Sequence, residues 1–295
     1  MNMKGKLEKM LQKDVTQRFL AFSEAEIEGL FGKEYMKTVK FGGQNNVSHK
    51  YELFEHILRT VDNVQAVSKN HISDEEIMMV KLAALFHDIG KPNVAAINEK
   101  TGQTQYIGHA KESATLAEAI LVSLGYSSQE IAEVEFLIKS HDDFIPVTNV
   151  SDVTPEKISK ILLSATKKAT FVPTVSHFKK LLVLCMADIT AQSDTVMKDG
   201  KVVDTKEARL ERLQEIFDIL DEAIVFKQEA EIQKLQRRVA EIETGPSEVI
   251  KNGKVVNQKQ IDIWKGMSEE EKVAKISEAV ETIEALKKEI KLILN

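Results

Sequence analysis

KLAALFHDIGKP, residues 81–92, is an apolar run that meets a histidine and an aspartate, His87 and Asp88, and then stops at glycine, lysine and proline. Just upstream, Ser73 and Glu76 stand at the spacing of a capping box, in which each side chain satisfies a backbone N–H near a helix start. From Ile77 onward the segment is apolar all round, the pattern of a central helix rather than of one with a solvated face. Gly90 and Pro92 supply the stop signal. The stretch therefore predicts a helix that drives His87 and Asp88 into a core. A carboxylate there is costly unless it is paired or binds a cation.

The same anomaly recurs at Asp188. It lies seven residues after Leu181, on the face of Leu184 and Cys185, and no lysine or arginine falls within one turn of it. Two such carboxylates call either for a shared metal ion or for ion pairs with distant arginines, and residue types alone leave both open. Imidazoles are suitable partners for the first alternative. His56 borders the apolar stripe of Leu53, Ile57, Thr60, Val61 and Val64. His141 ends the stripe of Ile131, Val134 and Ile138, in a helix that starts with a second box, Ser127 and Glu130. His109 follows Gly108 and reads as the opening of another helix.

Elsewhere the pattern is again mainly helical. Glycine and proline number only 13 and 5, so long helices are seldom interrupted. Asp199-Gly200 and Asn252-Gly253 sit between β-branched residues and predict two small surface hairpins. A last helix starts at Ser268 with Glu271 and carries Val273, Ile276, Val280, Ile283, Leu286 and Ile290 in steps of three and four. Such a stripe suits an intramolecular helix pair, or a homodimer seam as the alternative.

The bulk numbers narrow the class. A chain of 295 residues is one large domain or two small ones. Its net charge of −6 gives no global field for duplex nucleic acid, although a local RNA-binding patch stays open. With Cys185 as the single cysteine, neither a disulfide framework nor a cysteine-rich zinc site can form, and Cys185 reads as a small buried hydrophobe. The charged N-terminus does not read as a signal peptide and no segment approaches the length of a membrane span, so the expected setting is cytoplasmic.

FEHILRTVD, LAALFHDIGKP, GHAKESA, KSHDDF and LCMADI, taken in order across about 45–195, resemble the HD superfamily of metal-dependent phosphohydrolases. The stretch GGQNNVSHKYELFEHILR is further similar to the HD domain appended to bacterial CCA-adding tRNA nucleotidyltransferases. The resemblance implies an all-α HD-domain helical bundle, here with small β-hairpins and a C-terminal helical appendage. By motif it makes His56, His87, Asp88 and Asp188 the basic ligand set. It makes His109 and His141 the added histidines of two-metal members, with Asp88 as the bridge. Lys91 matches a lysine that meets a substrate phosphate or the doublet aspartate, so Asp88 and Lys91 are the expected catalytic pair. One or two divalent ions are implied, of Mn, Fe, Ni, Co, Zn or Mg; the imidazole donors suit Mg least. In such a site a water bridging the two ions loses its proton near neutral pH and attacks phosphorus.

The implied activity is phosphomonoester or phosphodiester hydrolysis on a nucleotide or a nucleic-acid end. The alternatives are a metal-stabilised regulatory module or an RNA-binding accessory with little turnover. The expected partner is a small phosphorylated substrate such as a nucleotide, with RNA as a second candidate, no membrane, and a homodimer through the C-terminal helix as an option. From adjacency, Lys111 is a second candidate for a phosphate, and Glu112 and Asp142 for supporting the ligands. No Gly-Ser or Gly-Gly followed by Asp-x-Asp marks a nucleotidyltransferase head, so CCA addition is not expected, and no Gly-Tyr-Pro follows the doublet. His49, His71 and His177 fit no motif slot. His71 and His177 read as surface features, and His49, two turns before His56, is within reach of the site mouth without being assigned to it. The expected division is a helical lead-in over 1–44, the HD domain over 45–225, and C-terminal helices with a hairpin over 226–295.

Overall fold

A computed structural model describes residues 2–45, 48–68, 71–145, 153–198, 201–251, 254–255 and 257–293. The architecture is all-α. Among the described residues the only named strands form three two-stranded antiparallel ribbons. Two compact units are present: Met1–Thr154 with Lys160–Ile219, and Pro155–Ser159 with Leu220–Asn295.

The first unit is built around the helix Asp74–Phe86, buried from Ile77 through Phe86 except for Met78 and Met79. Helices Leu53–Ser68, Ser128–Ser140 and Val175–Thr190 pack against it. The capping boxes at Ser73/Glu76 and Ser127/Glu130 both form. The stripe Leu53, Ile57, Thr60, Val61 and Val64 is buried as its period predicts. Lys81 interrupts the central helix without cost to burial, because its ammonium donates to the carbonyls of Leu11 (2.9 Å) and Gln12 (2.7 Å), groups left open where the first helix ends. Residues 1–44 belong to this unit: Leu7, Leu11, Val15 and Phe19 are fully buried. The Asp62 carboxylate accepts from the N–H groups of Val15 (2.8 Å) and Thr16 (2.9 Å) at a helix start.

The doublet is buried at the end of the central helix, as the sequence predicts, although the helix stops slightly earlier. The helix ends at Phe86, His87 is its C-cap, and Asp88 lies in the turn that follows. Gly90 is not a left-handed stop; its φ is −81°. Its role is close approach. A Cβ there would sit 2.5 Å from the Ser113 nitrogen and 2.8 Å from the His109 oxygen, so only glycine lets the helix His109–Leu124 come this near. The Gly90 N–H donates to Ser113 Oγ at 2.9 Å and pins the two segments together.

Both predicted hairpins form, Thr195–Lys198 with Lys201–Thr205 and Ile250–Lys251 with Lys254–Val255; their Asp199-Gly200 and Asn252-Gly253 turns lie outside the described residues. The third ribbon, Ala96–Ile97 with Thr104–Gln105, was not anticipated. Its turn is held by Asn98, whose side chain accepts from Lys100 N–H, and by Gly102 at φ +68°.

In the second unit the helices Leu220–Thr244 and Glu269–Ile293 pack together, burying Ala223, Ile224, Ile232, Ala279 and Ile283, with Gln228 donating to Glu289 at 2.7 Å. The stripe thus forms an intramolecular pair, while Val273 and Val280 on it stay exposed. The Ser268/Glu271 box is made as its spacing predicts. No helix among the described residues is long and apolar enough to cross a membrane.

Candidate metal centre

Five segments deliver the site: His56 from the helix Leu53–Ser68, His87 and Asp88 from the end of the central helix, His109 as the first residue of its helix, His141 as the C-cap of Ser128–Ser140, and Asp188 from Val175–Thr190. His56, His87, Asp88, His141 and Asp188 are buried and His109 is nearly so. All six residues singled out as candidate ligands come together.

The imidazoles are oriented by backbone. The Nδ1–H of His87 donates to the Ala84 carbonyl (2.7 Å), that of His141 to Ile138 (2.7 Å) and that of His109 to Tyr106 (2.8 Å), each three residues back. His56 Nδ1 faces the Ala191 carbonyl at 3.4 Å. With one proton held on Nδ1, each Nε2 faces the site, where it can bind either a second proton or a cation. Cys185, fully removed from solution chemistry by burial that raises its thiol pKa well above the usual range, donates its S–H to the His141 carbonyl at 3.0 Å and steadies that residue's backbone.

The Nε2 atoms face carboxylates rather than donors. Asp88 Oδ2 lies 3.4 Å from His56 Nε2 and 3.2 Å from His87 Nε2, while its Oδ1 lies 3.2 Å from His109 Nε2 and 3.8 Å from His141 Nε2. Asp188 Oδ1 is 3.0 Å from His56 Nε2 and 3.7 Å from His87 Nε2. The two outer nitrogens, of His109 and His141, are 3.2 Å apart, and Asp142 reaches both at 3.3 Å. Among the described residues, His56 Nε2, His87 Nε2, Asp88 Oδ1 and Asp188 Oδ1 are buried with no hydrogen-bond partner. Orphaned acceptors converging on each other need a positive charge between them. Among the described residues three His/Asp sets are compact enough to hold an ion: His56, His87 and Asp188; His87, Asp88 and His141; His109, His141 and Asp142.

The proton affinities carry the same message. Burial disfavours charge on His87, yet Asp88 and Asp188 outweigh it and push its pKa up to about 10. Burial likewise works against His56 and His109, and the carboxylates raise both. Burial also works to raise Asp88 and Asp188, but facing imidazoles, with Lys91 beside Asp88, hold both well below the usual carboxylate range. His141 goes the other way, lowered by burial and by its imidazole neighbours. The pocket attracts cations and takes up protons where no ion is available.

Lys91 is buried and does not simply face a helix end. Its ammonium contacts Asp88 Oδ2 (2.6 Å), Gln44 Oε1 (2.9 Å) and His49 Nε2 (3.4 Å). Burial, and then the Lys91 charge, push His49 well below its ordinary pKa, so it stays neutral and accepts. His49 therefore stands at the site, its ring 4.9 Å from that of His56. His71 instead stacks on Phe217 at 4.1 Å, and His177 completes a capping box with Thr174. Lys111 is exposed, and Glu112 accepts from Asn93 at 2.8 Å rather than supporting a ligand.

A cleft of about 580 Å³ opens over the cluster, bounded by Asp88, Lys91, His109, His141 and Asp188 on its floor and by the unanticipated ribbon, Gln103–Tyr106, on one wall. Tyr106 donates to the Gln44 carbonyl and lies 5.2 Å from the Lys91 ammonium, so the wall is tied to the lysine network. On the side of Asp188, Gln192 donates to Asp188 Oδ2 (2.9 Å) and accepts from Arg209 (2.9 Å). Gln192 and Arg209 carry no sequence signal of a site role, and Gln44, although inside the stretch GGQNNVSHKYELFEHILR, was given no role by it.

Residues 53–169 match the family model of the HD domain. The chain carries an HD domain. That domain type belongs to a superfamily of metal-dependent phosphohydrolases, and the His/Asp cluster within reach of it could hold a divalent ion. Among curated proteins it is similar to a CC-adding tRNA nucleotidyltransferase of Thermus thermophilus, 35% identical over 72 residues, which is 24% of this chain and 17% of that protein. It is also similar to a bifunctional uridylyltransferase/uridylyl-removing enzyme of Caulobacter vibrioides, 26% identical over 182 residues, 61% of this chain and 18% of that protein. An A-adding tRNA nucleotidyltransferase of Deinococcus radiodurans is 28% identical over 93 residues, 32% of this chain and 20% of that protein. The matched segments thus span no more than a fifth of these relatives.

Proposed function

We propose that the protein is a phosphohydrolase that cleaves a phosphomonoester or phosphodiester on a nucleotide or a nucleic-acid end. The observation that carries this is the division of the Asp88 carboxylate, one oxygen toward His56 and His87 and the other toward His109 and His141. That is the donor arrangement of a bridge between two ions. His56, His87, Asp88 and Asp188 would hold one, and Asp88, His109 and His141, with Asp142 in reach, the other. Mixed imidazole and carboxylate donors favour Mn, Fe, Ni, Co or Zn over Mg. Ions held there supply an activated water near neutral pH and offset charge on the phosphoryl oxygens.

The protein's own groups do the rest. Backbone carbonyls keep the four imidazoles in one tautomer. Lys91 neutralises and fixes Asp88, so the carboxylate keeps its orientation while a substrate enters. The ribbon Thr104–Gln105, with Gln103 and Tyr106 beside it, lines one side of the cleft. The Caulobacter relative is named in part for removing uridylyl groups, and a uridylyl group is a nucleoside monophosphate; the names of the other two relatives contain tRNA. Both support a nucleotide-containing substrate.

Purified protein supplied with Mn²⁺, Ni²⁺ or Co²⁺ and a panel of phosphomonoesters and phosphodiesters is expected to turn over at least one class, with activity removed by chelator and restored by metal. Metal-loaded protein inert to every member would contradict hydrolysis and leave a metal-stabilised binding module.

A further inference from the structure

Arg209 comes from the helix Lys206–Asp218, beyond every motif of the site, yet it lines the cleft over the cluster. It is 6% exposed. One arm of its guanidinium donates to Gln192 Oε1 at 2.9 Å. Its Nε–H is buried with no partner, and among the described residues no carboxylate lies within 4.0 Å of it as an ion pair. Its neighbour Arg212 also has a buried Nε–H without a partner, but another of its nitrogens is ion-paired with Asp204. The carboxylates of Asp188 and Asp204 act on the Arg209 guanidinium only from beyond ion-pair distance, so its direct partner is a neutral amide and its Nε–H is left for an anion.

The other cation lining the cleft is already engaged. Lys91 has three N–H donors and three acceptors: Asp88, Gln44 and His49. Using it for a substrate phosphate would strip Asp88 of its counter-charge. Arg209 has no such obligation, and its planar fork suits a phosphate better than an ammonium does. Gln192 sets its place: the amide spans from Arg209 to Asp188 Oδ2, so the guanidinium stands one side chain outboard of the ligand cluster. An anion on Arg209 would therefore neighbour the group at the cluster rather than coincide with it.

We propose that Arg209 binds a second phosphate of the substrate, one adjacent to the phosphate that reacts, and so selects nucleotides or oligonucleotide ends that carry two neighbouring phosphoryl groups. This rests on the phosphohydrolase reading for the identity of the reacting group, but the recognition itself is a binding property and can be measured without turnover.

The test uses non-hydrolysable probes on Mn²⁺-loaded full-length protein: calorimetric affinity for methylenebisphosphonate relative to methylphosphonate. In the wild type the two-phosphorus probe is expected to bind more tightly. In Arg209→Gln that preference is expected to shrink by about 10–100-fold, the worth of a charge-assisted hydrogen bond, while affinity for methylphosphonate and metal content per chain hold. Arg209→Lys, which keeps the charge, should recover part of the preference and guards against a folding defect in the first variant. An unchanged preference in a folded Arg209→Gln protein of normal metal content would overturn the proposal, as would equal loss of affinity for both probes. If the wild type hydrolyses nothing, the phosphohydrolase reading fails while the probe ratio still decides the role of Arg209. If it does turn over, comparing a nucleoside 3′,5′-bisphosphate with a 5′-phosphorylated dinucleotide tells a small nucleotide from a nucleic-acid end. Loss in Arg209→Gln confined to substrates with the second phosphate supports the assignment; equal loss on a simple monoester opposes it.

Discussion

The two sides of Asp88 are unlike. On one, His56, His87 and Asp188 are buried inside the packed helices Leu53–Ser68, Asp74–Phe86 and Val175–Thr190. On the other, His109 opens a helix at the cleft, His141 caps the end of one, and the Asp142 side chain is 42% exposed. Ligands set in a core are held by the same packing that makes the fold, so the inner set is pre-organised and hard to disturb. The outer set depends on how closely the helix His109–Leu124 approaches the doublet, and that approach hangs on Gly90. Were two ions held there, this difference predicts a strong, slowly exchanging inner one and a weaker, exchangeable outer one.

Removing what the two sides share should have the largest effect. Asp88→Asn is expected to lose nearly all bound metal and all metal-dependent turnover. It also leaves Lys91 buried beside a neutral amide, so the metal-free variant should be about 3–5 kcal/mol less stable than metal-free wild type in denaturant titrations, as for other broken buried pairs. Retained metal in this variant would end the shared-bridge idea.

Changing one side at a time comes next. His109→Ala is expected to take the metal stoichiometry from near two to near one, and to lower turnover by more than the roughly 10–100-fold seen when groups behind a metal ligand are lost. His87→Ala should empty the inner position and weaken the outer, because the turn that carries Asp88 begins there. Equal metal loss in the two variants, measured by elemental analysis, would erase the distinction between the sides.

Gly90→Ala should act on the outer side from a distance. The added methyl collides with the backbone at Ser113 and His109, costing about 1–3 kcal/mol as overpacking does. Metal titration of this variant is expected to show a weakened second site and an intact first.

The last effect is one of pH and concerns only the metal-free protein. His87 has its pKa raised to about 10, against an ordinary value of 6.5. The stabilisation from its proton is complete below about 6.5 and is lost as pH climbs through about 10. Thermal midpoints of chelated protein should therefore fall by a few degrees across that window, while the metal-loaded protein, whose inner imidazoles bind the ion rather than protons, changes less. A chelated protein with a flat profile would place the raised affinity elsewhere than His87.

How much of this was legible in the sequence differs along the same divide. The inner side was readable because periodicity flags it: His56 beside a buried stripe, and Asp88 and Asp188 in runs too apolar to be exposed. The helix bundle followed from capping boxes at Ser73 and Ser127 and from stripes that the structure buries. The helix end was misjudged by a few residues, because a glycine after an apolar run looks the same whether it caps a helix or admits a neighbour. Only the tertiary approach of Ser113 reveals which. The ribbon at Ala96–Gln105 was missed since two-residue strands carry no alternation to detect. His49 was legible as lying within reach of the site mouth but not as a partner of Lys91, while Gln44, Gln192 and Arg209 were out of reach for another reason. Gln44 and Arg209 reach the cleft through contacts distant in sequence, Gln192 lies one turn past Asp188 but faces Arg209, which comes from another helix, and nothing local distinguishes Arg209 from Arg212, its paired neighbour one turn on.

The bridge itself is open to direct observation. In a crystal of the protein equilibrated with Mn²⁺, an anomalous difference map is expected to show two peaks flanking Asp88, one in contact with His56, His87 and Asp188 and the other with His109 and His141, the second falling first as Mn²⁺ is diluted. A single peak coordinated by one Asp88 oxygen, or none within bonding distance of that carboxylate, would contradict it.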